Sequence, residues 1–151
     1  MEIEARLKEL GITLPDAPGA LGSYIPLVRT GELLFLSGIL PFKNGILLAS
    51  GLVGGDVDIE TAKEAAQQIV VNAFSIIREY EGLERIRRCI RLNGYVASDP
   101  AFYNQPGVLN GASDLLKKIM GNNGIHTRTA VGVSVLPLNS PVEIDFIFEA
   151  G

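Results

Sequence analysis

The fold is decided by the segment His126–Pro137, HTRTAVGVSVLP, and by the segment Pro141–Phe146, PVEIDF, that follows it. Both alternate as β-strands do, and the Leu, Asn and Ser residues between the two prolines favour a turn. The sequence therefore predicts two strands joined as a tight hairpin. The first strand has one predicted core face and one face of small side chains beside an arginine. The core face carries Thr129, Val131, Val133 and Val135, and the small face carries Arg128, Ala130, Gly132 and Ser134.

Arg128 is the one charged residue on this small face. Its guanidinium stays protonated, and its N–H donors match the two oxygens of a carboxylate. The small neighbours leave room for a partner beside it. Two partners fit this pattern: a small acid, or an acidic side chain of another subunit.

Length and composition favour one domain, residues 1–151, in which residues 1–16 form a helix and loop extension. No apolar run reaches the roughly 20 residues of a membrane span, and the N-terminus lacks a secretory pattern. The single Cys89 is interpreted as a small buried hydrophobe and agrees with a reducing compartment. A cytoplasmic protein without a membrane partner is expected.

The net charge of -4 disfavours a nucleic-acid partner, because phosphate binding relies on clustered Lys and Arg. The densest basic run, Arg85–Arg88, is interpreted as a solvated junction between a helix and a strand. A hydrophobic content of 47% in so small a chain predicts apolar surface that further copies cover. A homo-oligomer is therefore expected.

Helical periodicity predicts a short helix over residues 2–10 and two longer ones. The first long helix begins at an N-cap, Asp58, and ends at Gly82. The second runs from about Pro106 to Met120. Strands are predicted at Tyr24–Arg29, Leu33–Gly38, Ile46–Leu48 after the Asn44-Gly45 hairpin turn, and Arg88–Val96.

Alternation in the strand Arg88–Val96 predicts Cys89 on the same face as Arg91 and Asn93, with Leu92 on the other. After the short N-terminal helix, the element order is βββαβαββ. This order predicts an α+β fold: a two-layer sandwich of a mixed sheet with the two main helices on one face.

Several short motifs follow one another along the chain. They are APGALGSY at Ala17–Tyr24, LSGILP at Leu36–Pro41, VLN at Val108–Asn110, RTA at Arg128–Ala130, LP at Leu136–Pro137 and VEI at Val142–Ile144. Together they resemble the motifs of the RidA (YjgF/YER057c/UK114) family over about residues 17–150.

The resemblance implies a chorismate-mutase-like fold and a homotrimer with ligand clefts between subunits. It implies hydrolysis of reactive enamines and imines of 2-amino acids to 2-keto acids and ammonia, with no metal and no organic cofactor. By the same resemblance, Arg128 binds the carboxylate of the substrate and Glu143 positions the attacking water. The residues implied to line the cleft are Tyr24, Ser37, Gly38, Asn110 and Ala130.

Three positions depart from the family pattern. Ile39 stands where glutamine is usual, His126 where proline is common, and Ala130 where cysteine is frequent. These departures indicate a divergent branch of the family, and they leave its substrate range and its retention of the deaminase reaction open.

In a tight hairpin that turns at Asn139–Ser140, Glu143 lies opposite Leu136. Arg128 is eight residues further along, about 26 Å away at about 3.3 Å per residue. No arginine side chain spans that distance. We therefore predict that Arg128 of one subunit meets Glu143 of its neighbour.

Other functions and roles stay open. The main alternative is a non-catalytic trimer that binds small carboxylates or partner proteins through the same clefts; RNA cleavage, known among relatives, is disfavoured by the acidic charge and the lone His126. Arg128 also suits a structural ion pair, and Glu143 an ordinary exposed strand position. Tyr24 and Ser37 also suit turn and packing roles.

Overall fold

A computed structural model describes residues 2–18 and 23–151. Met1 and residues 19–22, which include the centre of the APGALGSY motif, lie outside the described residues.

The described residues form an α+β fold with three α-helices and seven strands. The helices are α1 (Ile3–Glu9), α2 (Ile59–Tyr80) and α3 (Gln105–Met120). The strands are β1 (Leu27–Thr30), β2 (Leu33–Leu36), β3 (Phe42–Lys43), β4 (Ile46–Leu47), β5 (Ile86–Ala97), β6 (Thr127–Val133) and β7 (Val142–Ala150). The main sheet has the order β1-β2-β7-β5-β6, and β3 pairs with β4 in a separate hairpin. Only the pair β5–β6 is parallel, so the sheet is mixed, as predicted.

Helices α2 and α3 cover one face of the sheet and contact each other. The side chain of Asp58 accepts a hydrogen bond from the backbone N–H of Thr61 at 2.8 Å, which caps α2 where the sequence predicted. Beneath α2, the ring of Phe74 meets that of Phe148 edge-on at 5.9 Å, and both are fully buried. This layer holds the sheet rigidly under the helices.

The N-terminal helix α1 packs on α3. Ile3 and Leu7 are buried, and Arg6 Nε donates to the carbonyl of Lys118 at 2.8 Å. No helix in residues 2–18 or 23–151 is long and apolar enough to span a membrane.

The predicted hairpin of the last two strands is wrong. Strand β7 runs antiparallel to β5 and β6 runs parallel to it on the other side, so β5 separates them. A parallel pair needs a long crossover, and α3 supplies it between β5 and β6. The chain then crosses from β6 to β7 through a short 3-10 turn, Pro137–Asn139.

The predicted faces of β6 are reversed. Arg128 pairs with Leu92, which is fully buried under the helices, and so points to the helix layer. At Gly94 the helix lies so close that a Cβ would overlap the side chain of Leu109 on α3. Gly94 of β5 pairs with Ala130 of β6, so the face of β6 that carries Arg128 and Ala130 is the one turned toward α3, and the β-branched face is on the opposite side. Its Val131 is 40% exposed.

Cys89 also lies on the other face from the one predicted. The register of β5 against β7 shifts between Cys89 and Arg91, as in a β-bulge. Cys89 pairs with Phe148 in the core, while Arg91 pairs with Ile147 on the open face. The interpretation of Cys89 as a small buried hydrophobe is confirmed, and burial raises the pKa of its thiol to about 12.

Candidate functional site

The predicted site residues fall into two groups, one around Arg128 and one around Glu143, and these two side chains point to opposite faces of the sheet. Arg128 pairs with Leu92 of β5 and points to the helix layer. Glu143 pairs with Tyr95 of β5 and points to the open face, because positions 92 and 95 alternate. Strand β5 also lies between them. The two charged groups do not converge within one chain.

The first group, the Arg128 cluster, consists of Asn110, Ser113, His126 and Arg128. Arg128 Nη1 donates to Asn110 Oδ1 at 2.8 Å and to Ser113 Oγ at 3.1 Å, which occupies both of its N–H groups. Within the described part of the chain, Nε and Nη2 donate no hydrogen bond and Arg128 forms no ion pair. The edge that carries Nε and Nη2 is therefore available for a bidentate contact with a carboxylate.

The family resemblance implied that Asn110 lines the substrate cleft, and the structure places it beside Arg128. Ser113 was not predicted as a site residue. The signal was present, since residues three apart on a helix share a face, and Ser113 follows Asn110 by three. His126 was given no role from the sequence. Its Nε2 lies 3.0 Å from Ser113 Oγ and its Nδ1 lies 2.7 Å from the carbonyl oxygen of Gly124. Ala130, half-buried, lies two residues beyond Arg128 on the same face.

The second group, the Glu143 cluster, consists of Ser37, Gly38 and Glu143. Tyr24 shares a cavity with Ser37 and Gly38, and Glu143 is not among the described residues that line this cavity. Ile39 and Ile144 form a bridge beyond the end of β2, while Phe35 pairs with Ile147 within it. Between these two pairs the chain advances by four residues from Phe35 to Ile39, but by only three residues from Ile144 to Ile147 on the partner strand. The extra residue bulges the segment at Ser37 and Gly38 toward the side chain of Glu143.

Contacts at this bulge are close. A Cβ built at Gly38 would lie 2.5 Å from Glu143 Oε2, so only glycine leaves the carboxylate where it is. Ser37 Oγ donates to the carbonyl of Ile25 at 3.0 Å, which fixes the bulge against the segment before β1.

A cavity of about 450 Å³ opens beside this bulge. Tyr24, Ser37 and Gly38 line it together with mostly apolar side chains, among them Ile39 and Phe42. Asp16 is the one charged residue in its described lining. The cavity is suited to an uncharged group.

Burial, and secondarily the nearby carboxylate of Asp145, raises the pKa of Glu143 above its usual range. Asp145 accepts hydrogen bonds from Asn93 Nδ2 at 2.8 Å and from the hydroxyl of Tyr95 at 3.2 Å. Burial, followed by the charge of Asp145, raises the pKa of Tyr95 as well. A carboxyl group with a raised pKa is suited to taking up and returning a proton.

With this geometry in place, comparison with known proteins decides the family. The family described as YjgF/chorismate-mutase-like, putative endoribonuclease, matches residues 4–150. The chain belongs to this family. The resemblance to RidA proteins that the motifs indicated is confirmed, and so is the chorismate-mutase-like fold. The match also includes the helix α1.

Several relatives of this YjgF-family chain cover nearly all of it. Protein TCP17 of Trypanosoma cruzi is 36% identical over 149 residues, which are 97% of this chain and 93% of the relative. The protein Atu1372 of Agrobacterium tumefaciens, of unknown function, is 46% identical with a TM-score of 0.91, over 99% of this chain and 92% of its own. A putative endoribonuclease of Shewanella oneidensis MR-1 is 33% identical with a TM-score of 0.93, over 99% of both chains.

The donor set of this YjgF-family chain offers no metal centre within residues 2–18 and 23–151. No group of three or more His, Cys, Asp or Glu side chains lies in an arrangement that holds a metal ion.

Proposed function

We propose that the chain hydrolyses reactive 2-imino and 2-enamino acids to 2-keto acids and ammonia, in clefts between the subunits of a homotrimer. One observation carries this proposal: the carboxylate-binding group and the acid–base group point away from each other in one chain. Each cluster is half of a site. Rotational symmetry brings the Arg128 cluster of one subunit to the Glu143 cluster of the next.

The open face of the sheet supports an assembly. Val28 and Phe35 on β1 and β2 are 53% and 42% exposed, and Val131 on β6 is 40% exposed. Val135, just beyond β6, is 71% exposed. Apolar surface of this kind is commonly covered by a partner, and further copies of the chain are the simplest one.

In the proposed site, the free edge of Arg128 binds the carboxylate of the substrate through two charge-assisted hydrogen bonds. The apolar cavity at Tyr24 and Gly38 receives the side chain of the substrate, which favours imino acids with uncharged side chains. Because these substrates are reactive in water, an enzyme that positions them and transfers protons accelerates the reaction sufficiently.

The overall reaction is R–C(=NH2⁺)–COO⁻ + H2O → R–CO–COO⁻ + NH4⁺. Water forms a bond to the imine carbon, the π electrons move to nitrogen, and Glu143 takes a proton from the water. Glu143 then returns this proton to the nitrogen. The C–N bond breaks, ammonia leaves, and the hydroxyl oxygen becomes the new carbonyl as its proton passes by way of Glu143 to ammonia.

The test generates 2-iminobutanoate in situ and follows the release of 2-ketobutanoate. Arg128→Ala is expected to lower kcat/KM by about 30- to 1,000-fold, because a charged hydrogen-bonded anchor contributes about 2–4 kcal/mol. Glu143→Gln is expected to lower kcat with little change in KM. Rates equal to the uncatalysed rate for wild type and both variants would reject the deaminase function for this substrate.

Mixed trimers test the cleft between subunits. Arg128→Ala and Glu143→Gln chains, each inactive alone, are co-expressed with different tags and purified together. In a mixed cyclic trimer one cleft of the three receives both intact halves, so trimers purified through both tags restore about one third of the wild-type activity. Mixed trimers that remain inactive, while wild-type mixtures are active, would show that each site is built within one subunit.

The alternative is a non-catalytic trimer that binds small carboxylates through the same clefts. Binding of 2-ketobutanoate that needs Arg128 but not Glu143, without turnover, would establish it. RNA cleavage, named in the family description, has weaker support. The net charge is -4, and both ring nitrogens of His126 are within hydrogen-bond distance of protein oxygens. The single buried Cys89 agrees with a cytoplasmic site for the proposed reaction.

A further inference from the structure

We infer that Ser113 and His126 are positioning residues, which fix the guanidinium of Arg128 in the orientation that binds a carboxylate. This inference rests on the proposed function. It assigns roles to two residues, one of which stands where the family commonly has proline. The inference follows from the direction of each hydrogen bond in the Arg128 cluster.

The directions are determined by which atoms lack protons. The carbonyl oxygen of Gly124 only accepts, so His126 Nδ1, 2.7 Å away, is the donor, and we assign the Nδ1–H tautomer to the ring. His126 Nε2 is then the acceptor. Arg128 Nη1 only donates, so Ser113 Oγ accepts from it at 3.1 Å. The single hydroxyl proton of Ser113 is left to donate to Nε2 at 3.0 Å. Ser113 thus accepts a hydrogen bond from Arg128 and donates one to His126.

The series of hydrogen bonds from Arg128 through Ser113 and His126 ends at the carbonyl of Gly124, which is held rigidly. Gly124 is buried at the end of the turn after α3, and a Cβ there would overlap the carbonyl of Leu116. The carbonyl of Gly124 therefore holds His126 against α3, which also carries Ser113. The result is a fixed acceptor for Nη1 on α3 rather than a mobile hydroxyl.

Asn110 supplies the second acceptor for Nη1 at 2.8 Å. Two acceptors on one nitrogen define the plane of the guanidinium, and its Nε–Nη2 edge then points away from α3. An arginine with one acceptor rotates about its long side chain and loses affinity for a planar ligand through the entropy of ordering. The specific contribution of Ser113 and His126 is therefore orientation of the free edge.

The experiment measures binding of 2-ketobutanoate and of its methyl ester by isothermal titration calorimetry on the assembled full-length protein. Ser113→Ala and His126→Leu are expected to weaken binding of the acid by about 5- to 10-fold, the range of one hydrogen bond in a charged network. Binding of the ester, which lacks the anionic carboxylate, is expected to be unchanged. Ser50→Ala, an exposed serine outside both clusters, is the matched control.

Two further variants separate positioning from a general structural effect. His126→Gln keeps an acceptor oxygen near the place of Nε2 and is expected to restore binding to within about 2-fold of wild type. In an Arg128→Ala background, Ser113→Ala is expected to weaken binding no further, since there is no guanidinium to orient.

The outcomes are distinguishable. If Arg128→Ala weakens binding but Ser113→Ala binds the acid like wild type, the inference is wrong and the proposed function stands. An equal loss from Ser113→Ala with and without Arg128 also overturns the inference. If Arg128→Ala itself binds the acid like wild type, the proposed function loses its anchor and the inference is overturned with it.

Discussion

Gly38 and Glu143 are in such close contact that any larger residue at position 38 would displace the carboxylate. A Cβ at Gly38 would lie 2.5 Å from Oε2 and 3.1 Å from Cδ of Glu143. The bulge that carries Gly38 is paired to the strand of Glu143 through Ile39 and Ile144. The main chain on one side of the candidate site therefore determines where its acid–base group stands.

Gly38→Ala is expected to lower kcat/KM for 2-iminobutanoate by about 10- to 100-fold, because a displacement of about 1 Å at a reacting group has effects of this size. The melting temperature is expected to change little, since the displaced atoms are the end of a flexible side chain. Gly55→Ala, where the nearest atom lies at 3.5 Å, is the control. Wild-type kinetics for Gly38→Ala would contradict a role for the carboxylate at this position.

Asp145→Asn is expected to move the acidic limb of the pH–activity profile to lower pH. Burial is the larger cause of the raised pKa of Glu143 and the charge of Asp145 is the second, so removing that charge lowers the pKa of Glu143. Glu143 acts as a base only when ionised, and activity is lost as the pH falls through its pKa. The measurement is kcat/KM against pH, with Glu149→Gln further along β7 as the control. A limb that stays in place or moves to higher pH would contradict this account.

Gly111→Ala is expected to destabilise the protein by about 1–3 kcal/mol, as overpacking of a tight contact does. A Cβ there would lie 2.5 Å from the backbone oxygen of Lys63, so α3 would have to move away from α2. This effect exceeds the gain in helix propensity, about 1 kcal/mol, of alanine over glycine. Urea unfolding at a fixed protein concentration measures it. A stability equal to or above wild type would show that the two helices separate freely.

Cys89 is expected to be inert to thiol reagents in the folded protein. Burial raises the pKa of its thiol to about 12, so very little thiolate forms at neutral pH. Labelling with Ellman's reagent is expected to be slow in buffer and complete in concentrated guanidinium chloride. Rapid labelling of the native protein would contradict the burial of Cys89.

The sequence alone determined the three helices, six of the seven strands and their order; the two-residue strand β3, Phe42–Lys43, was not predicted. The N-cap at Asp58, the turn at Asn44-Gly45 and the apolar stripes of the helices act over a few residues, so local reading predicted them. The motifs also identified the family, because their residues, order and spacing are properties of the sequence and need no structure.

Only the tertiary structure decided the partners and faces of the strands. Alternation shows which residues of β6 share a face with Arg128, but not which face the helices cover. That choice depended on α3, which lies close against Gly94 of β5 and carries Asn110 and Ser113, the partners of Arg128. Likewise, β7 pairs with β5 rather than with β6, which precedes it in sequence, and lies on the edge of β5 opposite β6. Periodicity is a property of one strand, whereas pairing and coverage depend on elements distant in sequence.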